Sequence, residues 1–354
     1  MTNTMDFLTW RGDLDFGTVP PCEVDCFIFS QLSTPDYTGI VGDLPVTLAD
    51  ASAAYFATHS ESKSNLGVLQ SSGVLPMLNF LATCPRYCGV TLSNYVNIVR
   101  TEASEQFSAV TLTLPGGDSV VSFRGTDDTI IGWKEDCNLA IMAEVPAQRE
   151  AAKYLAGAVA GCKGGVSVVG HSKGGNLAVY AASRLPAEQR SRLLGVYSFD
   201  GPGFRAPFLQ SEGYLSIADR VTTIMPQHSL VGTLMQFAGN RVIVRSDISG
   251  PYCHDGFHWE VSGPAFVRVD TLSSFSRTYH EALCKVIDES DPETLRAFVD
   301  DLFRILLASG AGTITEFCRL KPQELLGIMR SLRHEKQVSS FTAELLESLV
   351  RAAL

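Results

Sequence analysis

The chain has 354 residues, 45% hydrophobic and 19% charged, a balance that builds a sizeable core and excludes a disordered protein. A net charge of −10 excludes general affinity for nucleic acid or anionic lipid, while leaving neutral and apolar substrates open. No apolar run reaches the length of a membrane span, and the start lacks a basic stretch followed by an apolar one, so a cytoplasmic protein without integral membrane segment or signal peptide is expected.

In chain order, Pro20-Pro21 ahead of Cys22 to Leu32 predicts a helix with proline in its first turn. Thr47-Leu-Ala-Asp50 is a capping-box-like opening to a second helix through Ala57, Ser60 to Ser64 is a polar loop, and Gly73 to Leu81 is a third helix candidate. Cys22/Cys26 and Cys84/Cys88 have C-x3-C spacing, which suits one face of a helix better than a zinc knuckle; all nine cysteines are read as reduced thiols and no metal is expected.

Val96 to Arg100 and Phe107 to Leu114 predict strands, the second with Val110, Leu112 and Leu114 at period two. Pro115-Gly-Gly-Asp118 turns the chain back into Ser119 to Phe123. The strand stops at Gly125, and Asp128 or Thr129 caps a helix to about Ala140. Pro146 to Cys162 is Ala-rich and helical. Strands follow at Val166–Val169, Gly195–Phe199, Val221–Met225 and Arg241–Arg245. Strands alternating with helices predict an α/β fold, a mostly parallel central sheet with helices on both faces. Pro292 to Ser309, Pro322 to Lys336 and Phe341 to Ala353 read as helices, with Leu295, Phe298, Val299, Leu302 and Leu306 on one stripe. The expected division is a domain over 1–289, with a helical segment at its start, and a small all-α appendage over 290–354.

The chemistry centres on Gly170-His-Ser-Lys-Gly174, a G-x-S-x-G match between a β-favouring run and a helix-compatible one. There a strand breaks sharply into a helix and holds the serine hydroxyl at the apex. Glycines flank it because a Cβ would collide with the neighbouring strand or helix. Ser172 is therefore the candidate nucleophile, and it needs a base and a group to orient that base. The loop after the last strand, Ser249 to Gly256, is where an α/β-hydrolase delivers its histidine, and His254 is favoured over His258 and His228. His280 and His334 fall on helices. Asp200, at a strand end before Gly-Pro-Gly, is the candidate acid, with Asp219, Asp247 and Asp255 as rivals; the slot at 226–232 holds no carboxylate. An oxyanion hole needs two donors, and the N–H groups of Lys173 and Thr126 are expected to supply them. The Lys173 ammonium is expected in solvent, and Asp127 and Asp128 as helix caps. Leu230–Phe237 and Phe204–Ile217 are open between an acyl pocket, a lid and core.

Ser122-Phe-Arg-Gly-Thr-Asp127, with Trp133 and Asp136 beyond it, resembles the oxyanion loop of class 3 lipases, and Gly170 to Gly175 resembles their nucleophile elbow. Trp10 to Phe16, Asp25 to Ser33, Phe199 to Gly203, Ser229-Leu-Val-Gly232 and His254-Asp255 with Trp259 resemble a bacterial branch, the Mbeg-like hydrolases. The resemblance spans residues 5 to about 265 and implies an α/β-hydrolase fold with Ser172 and His254 as nucleophile and base. Asp200 resembles the acid of pancreatic-type lipases, whereas the class 3 acid position is empty. The expected activity is that of a serine hydrolase acting on carboxylic esters, including lipid or acylglycerol esters, without cofactor. Thioesterase or acyltransferase chemistry, or a non-catalytic scaffold that docks a protein partner through its C-terminal helices, are the alternatives.

Overall fold

The computed structural model describes residues 2–59 and 71–291, together with 293–297, 299–300, 303, 310–313 and 316. The loop expected at Ser60–Ser64, the helices expected over 322–336 and 341–353, and Phe298, Leu302, Leu306 and His334 lie outside the described residues.

An eight-stranded sheet runs in sequence order, β1 Val46–Thr47, β2 Thr91–Arg100, β3 Glu105–Thr113, β4 Ser119–Phe123, β5 Val166–His171, β6 Leu193–Phe199, β7 Val221–Pro226 and β8 Asn240–Val244. The pairs from β1 to β4 are antiparallel and those from β4 to β8 are parallel. The antiparallel portion follows from the short Pro115 to Asp118 turn, while the parallel strands need crossovers. A small hairpin, Val261–Ser262 with Ala265–Phe266, follows β8 and was not foreseen.

Period-two alternation divides the strand side chains between two cores. Val110, Leu112, Val120 and Val169 pack with α1 (Thr4–Arg11), α2 (Glu23–Gln31), α3 (Leu48–Thr58) and α4 (Val74–Leu81). Ala109, Val121, Val168 and Val196 pack on the other face with α6 (Pro146–Gly161) and α7 (Lys173–Ser183), while α5 (Ile130–Leu139) lies between β4 and α6 in sequence. A largely parallel sheet with helices on both faces, and a serine between β5 and α7, is the α/β-hydrolase architecture. Among the described residues no helix is long and apolar enough to cross a membrane.

Pro20 and Pro21 precede the cap of α2 rather than entering its first turn; Cys22 is the cap, and its N–H donates to Asp25 Oδ2 at 2.8 Å. Cys26 sits in α2 as expected, but Cys84 and Cys88 lie in turns after α4, because the chain reverses at Cys84-Pro-Arg86. Asp25 is fully buried and pairs with the Arg86 guanidinium at 2.7 Å, and Tyr87 donates its hydroxyl to the same carboxylate. Arg86 also donates to the carbonyls of Leu14 at 2.7 Å and Val19 at 3.0 Å. One guanidinium thus bonds a buried carboxylate and backbone carbonyls before α2, which staples the amino-terminal segment to the chain after α4.

A few described residues after 290 touch the sheet domain. Leu295, Val299 and Phe303 are buried against Ile130 and Ile141, and Lys134 Nζ meets Asp300 Oδ1 at 2.7 Å. The apolar stripe read from the sequence is real at Leu295 and Val299, and its partner is α5.

Candidate active site

Ser172 stands between β5 and α7 with φ 57° and ψ −133°. Such a conformation is costly for a residue with a Cβ and persists only where the surroundings impose it. They do so here. A Cβ on Gly174 would lie 2.1 Å from the Phe123 carbonyl oxygen of β4, and one on Gly170 would lie 2.1 Å from the Gly174 backbone. Strand and helix can therefore close on each other only around glycines, and the chain must pivot at 172. The Ser172 N–H donates to the Phe199 carbonyl at 2.9 Å, fixing the pivot to β6.

Asp200 follows β6, is fully buried, and also has positive φ, at 46°. Its Oδ2 accepts from His254 Nδ1 at 2.7 Å. Its Oδ1 accepts from Ser229 Oγ at 2.5 Å and from the Gly232 N–H at 3.1 Å. The stretch 226–232, which holds no carboxylate, thus supplies two donors to the carboxylate one strand earlier. With Nδ1 engaged, Nε2 is the His254 nitrogen left to act on a serine. Ser172, Gly125, Thr126, His171 and His254 line one cavity of about 310 Å³.

The rival residues are placed elsewhere. His258 and Asp247 pair with each other at 2.9 Å, each 43% exposed. His228 meets Gln227 at 3.0 Å, and Asp255 caps the turn at Phe257. His280, on the helix Ser274–Glu289, meets the Thr233 carbonyl at 2.6 Å. Of the two uncertain loops, Val231, Leu234 and Met235 line the cavity, while Phe204 and Tyr214 are core.

Lys173 opens α7, so its N–H belongs to a first turn whose amides have no intrahelical acceptor. The loop after β4 comes close to the elbow, since a Cβ on Gly125 would lie 3.1 Å from Ser172 Cβ. That approach brings Thr126 into the same cavity wall. Its hydroxyl donates to Asp136 Oδ2 at 2.5 Å. Burial raises the Asp136 carboxyl to about 6, against the pull of the Lys173 ammonium, and among the described residues Oδ1 has no hydrogen-bond partner. Thr129 caps α5, and Asp127 Oδ1 accepts the Thr129 N–H at 2.9 Å.

The Lys173 side chain overturns the expectation of solvation. It is 0% exposed and donates to Gln106 O at 2.8 Å, Gln106 Oε1 at 2.6 Å and Glu135 Oε2 at 3.0 Å. Glu135 in turn accepts the N–H groups of Gln106 and Ala147, at 3.0 and 2.9 Å. One buried ion pair therefore ties the elbow to β3, α5 and the start of α6.

His171, the unassigned second residue of the motif, was missed. Its Nε2 lies 2.8 Å from the His254 carbonyl oxygen, so it carries the proton, and the two rings are 4.5 Å apart. Trp259 Nε1 donates to the preceding carbonyl, that of Cys253, at 2.8 Å. Two ring N–H groups thus hold consecutive carbonyls of the histidine loop. Phe27 of α2 packs against His171, Phe257 and Trp259 with centroids at 6.2, 5.6 and 5.6 Å.

Burial, reinforced by the His254 ring, lowers the His171 pKa from 6.5 to about 3. A lowered histidine pKa means the unfolded chain binds the extra proton first, so its contribution is present above about 6.5 and is lost as pH falls toward 3. Asp136 works with opposite sign, its raised pKa making stability fall as pH rises from 3.8 to about 6. Urea unfolding across this range is expected to show His171→Gln flattening the acid-side loss and Asp136→Asn removing the opposing slope.

The sequence profile of the Mbeg1-like family matches residues 81–304. The chain belongs to the Mbeg1-like family. No curated protein matches this Mbeg1-like chain in sequence. Among solved structures, the crystal structure of M37 lipase aligns with a TM-score of 0.37 and 17% identity, over 60% of this chain and 69% of that one. In this Mbeg1-like chain α2, with Phe27 and the Asp25 staple, lies before the matched region.

Proposed function

We propose that this Mbeg1-like protein is a serine hydrolase of carboxylic esters, with Ser172 as nucleophile, His254 as base and Asp200 as the acid that orients it. The observation that carries the reading is the Asp200–His254 hydrogen bond at 2.7 Å, made by a histidine that shares a cavity with a serine held at φ 57°. A buried aspartate on Nδ1 fixes the tautomer and stabilises the imidazolium.

Ser172 Oγ attacks the ester carbonyl carbon while its proton passes to His254 Nε2. The carbonyl oxygen becomes an oxyanion, held by the N–H groups of Lys173 and Thr126. The Asp136 carboxylate positions Thr126 through its hydroxyl. Collapse breaks the bond to the alcohol, which leaves with the proton from His254. Water then gives a proton to His254 and attacks the acyl-enzyme, and collapse releases the acid as His254 returns that proton to Ser172 Oγ. The same acyl-enzyme serves a thioester donor, so ester and thioester pairs of one acyl group belong in the substrate panel.

A fluorophosphonate probe tests the assignment directly. Wild type is expected to label at Ser172, and Ser172→Ala to remain unlabelled while retaining its circular dichroism. A well-folded wild type that resists the probe would favour the scaffold reading instead.

A further inference from the structure

We propose that the cavity beside Ser172 receives one unbranched acyl chain of a neutral ester, and that Val286, Ile287, Leu295 and Val299 set its length. The inference rests on the hydrolase reading and adds to it the substrate class and the residues that select it.

Besides Ser172 and His254, the cavity is walled mostly by apolar side chains. Trp133, Cys137 and Ile141 come from α5 and its exit, and Leu234 and Met235 from the loop after β7. Leu283, Val286 and Ile287 of the helix Ser274–Glu289, and Leu295 and Val299 beyond it, supply another part of the wall. Leu295 and Val299 are held there by Ile130 and Ile141, so they belong to the packed structure. At about 310 Å³ the cavity lies at the lower end of the range that takes a small-molecule ligand, a size that suits one acyl chain.

Charge narrows the class further. The described lining includes the carboxyl groups of Asp136 and Asp255 and no lysine or arginine. An anionic head group inside the cavity would meet like charge and no counter-ion, whereas a neutral ester meets neither penalty.

The test is the rate on nitrophenyl esters from acetate to palmitate. In wild type, kcat/KM is expected to rise by up to about fourfold per methylene, with a maximum at a chain longer than butyrate. Val299→Trp and Ile287→Trp are expected to move the maximum toward butyrate while keeping the wild-type circular dichroism, and Val299→Ala to move it the other way. A maximum at acetate, or one profile shared by wild type, Val299→Trp and Val299→Ala, would overturn the proposal. Binding of the neutral ester methyl decanoate to Ser172→Ala by calorimetry separates this failure from that of the hydrolase reading. If wild type turns over no ester, the hydrolase reading fails, yet methyl decanoate binding weakened about tenfold or more by adding Val299→Trp still supports the cavity assignment, and absence of binding overturns it.

Discussion

Ser172→Ala is expected to lower ester turnover by roughly 10⁴–10⁶-fold, because the remaining oxyanion donors and binding groups cannot replace the nucleophile. The comparison with Ser172→Gly carries extra information. Position 172 has φ 57°, a conformation open to glycine and costly for any side chain. Both variants should be inactive, but Ser172→Gly should unfold at higher temperature than Ser172→Ala, by about 1–3 kcal/mol of relieved backbone strain less what glycine's added freedom in the unfolded chain costs. Calorimetric unfolding with parallel ester assays checks both halves. Equal melting temperatures would mean that the strain at the elbow does not exceed what glycine's freedom in the unfolded chain costs.

The second large effect concerns stability. Lys173→Met removes the ammonium that Glu135, itself 0% exposed, faces at 3.0 Å. Breaking one side of such a pair leaves an uncompensated buried charge and is expected to cost about 3–5 kcal/mol. Adding Glu135→Gln should recover part of the loss, since the amide oxygen can still accept from a backbone N–H and no charge is left in the interior. Urea midpoints for the two single variants and the double variant complete the cycle. If the single Lys173→Met is neutral, the ion pair is not what fixes α7 to β3.

How far the sequence could be read depended on how local each signal was. The elbow was legible because its strand, glycines and helix all lie within Val166 to Tyr180, and the strands because alternation at Val110, Leu112 and Leu114 is a property of neighbours. His254 was singled out by its loop after the last strand, and Asp200 by its strand end before Gly-Pro-Gly and by the lack of a carboxylate at 226–232. Side chains whose role depends on a distant partner could not be read. Lys173 looked like a solvated cation because its carboxylate is 38 positions away, and His171 looked incidental because the carbonyl it holds is 83 positions on. The stripe at Leu295 and Val299 showed an apolar face, but no periodicity can say that α5 and a cavity lie against it. Cys84 and Cys88 had helical spacing in a stretch where Pro85 and the Arg86 staple impose turns instead.

The position of Phe27 has a practical consequence. It seats Trp259 and Phe257, and a Cβ on Gly256 would lie 2.3 Å from its ring, so the loop bearing His254 is shaped around a side chain from the second helix. Trimming the protein to the segment shared with its relatives, 81–304, would delete that ring and leave an indole and a phenyl facing water beneath the imidazole. Such a fragment would be a poor specimen in which to look for turnover, and its silence would report a lost foundation rather than a missing chemistry.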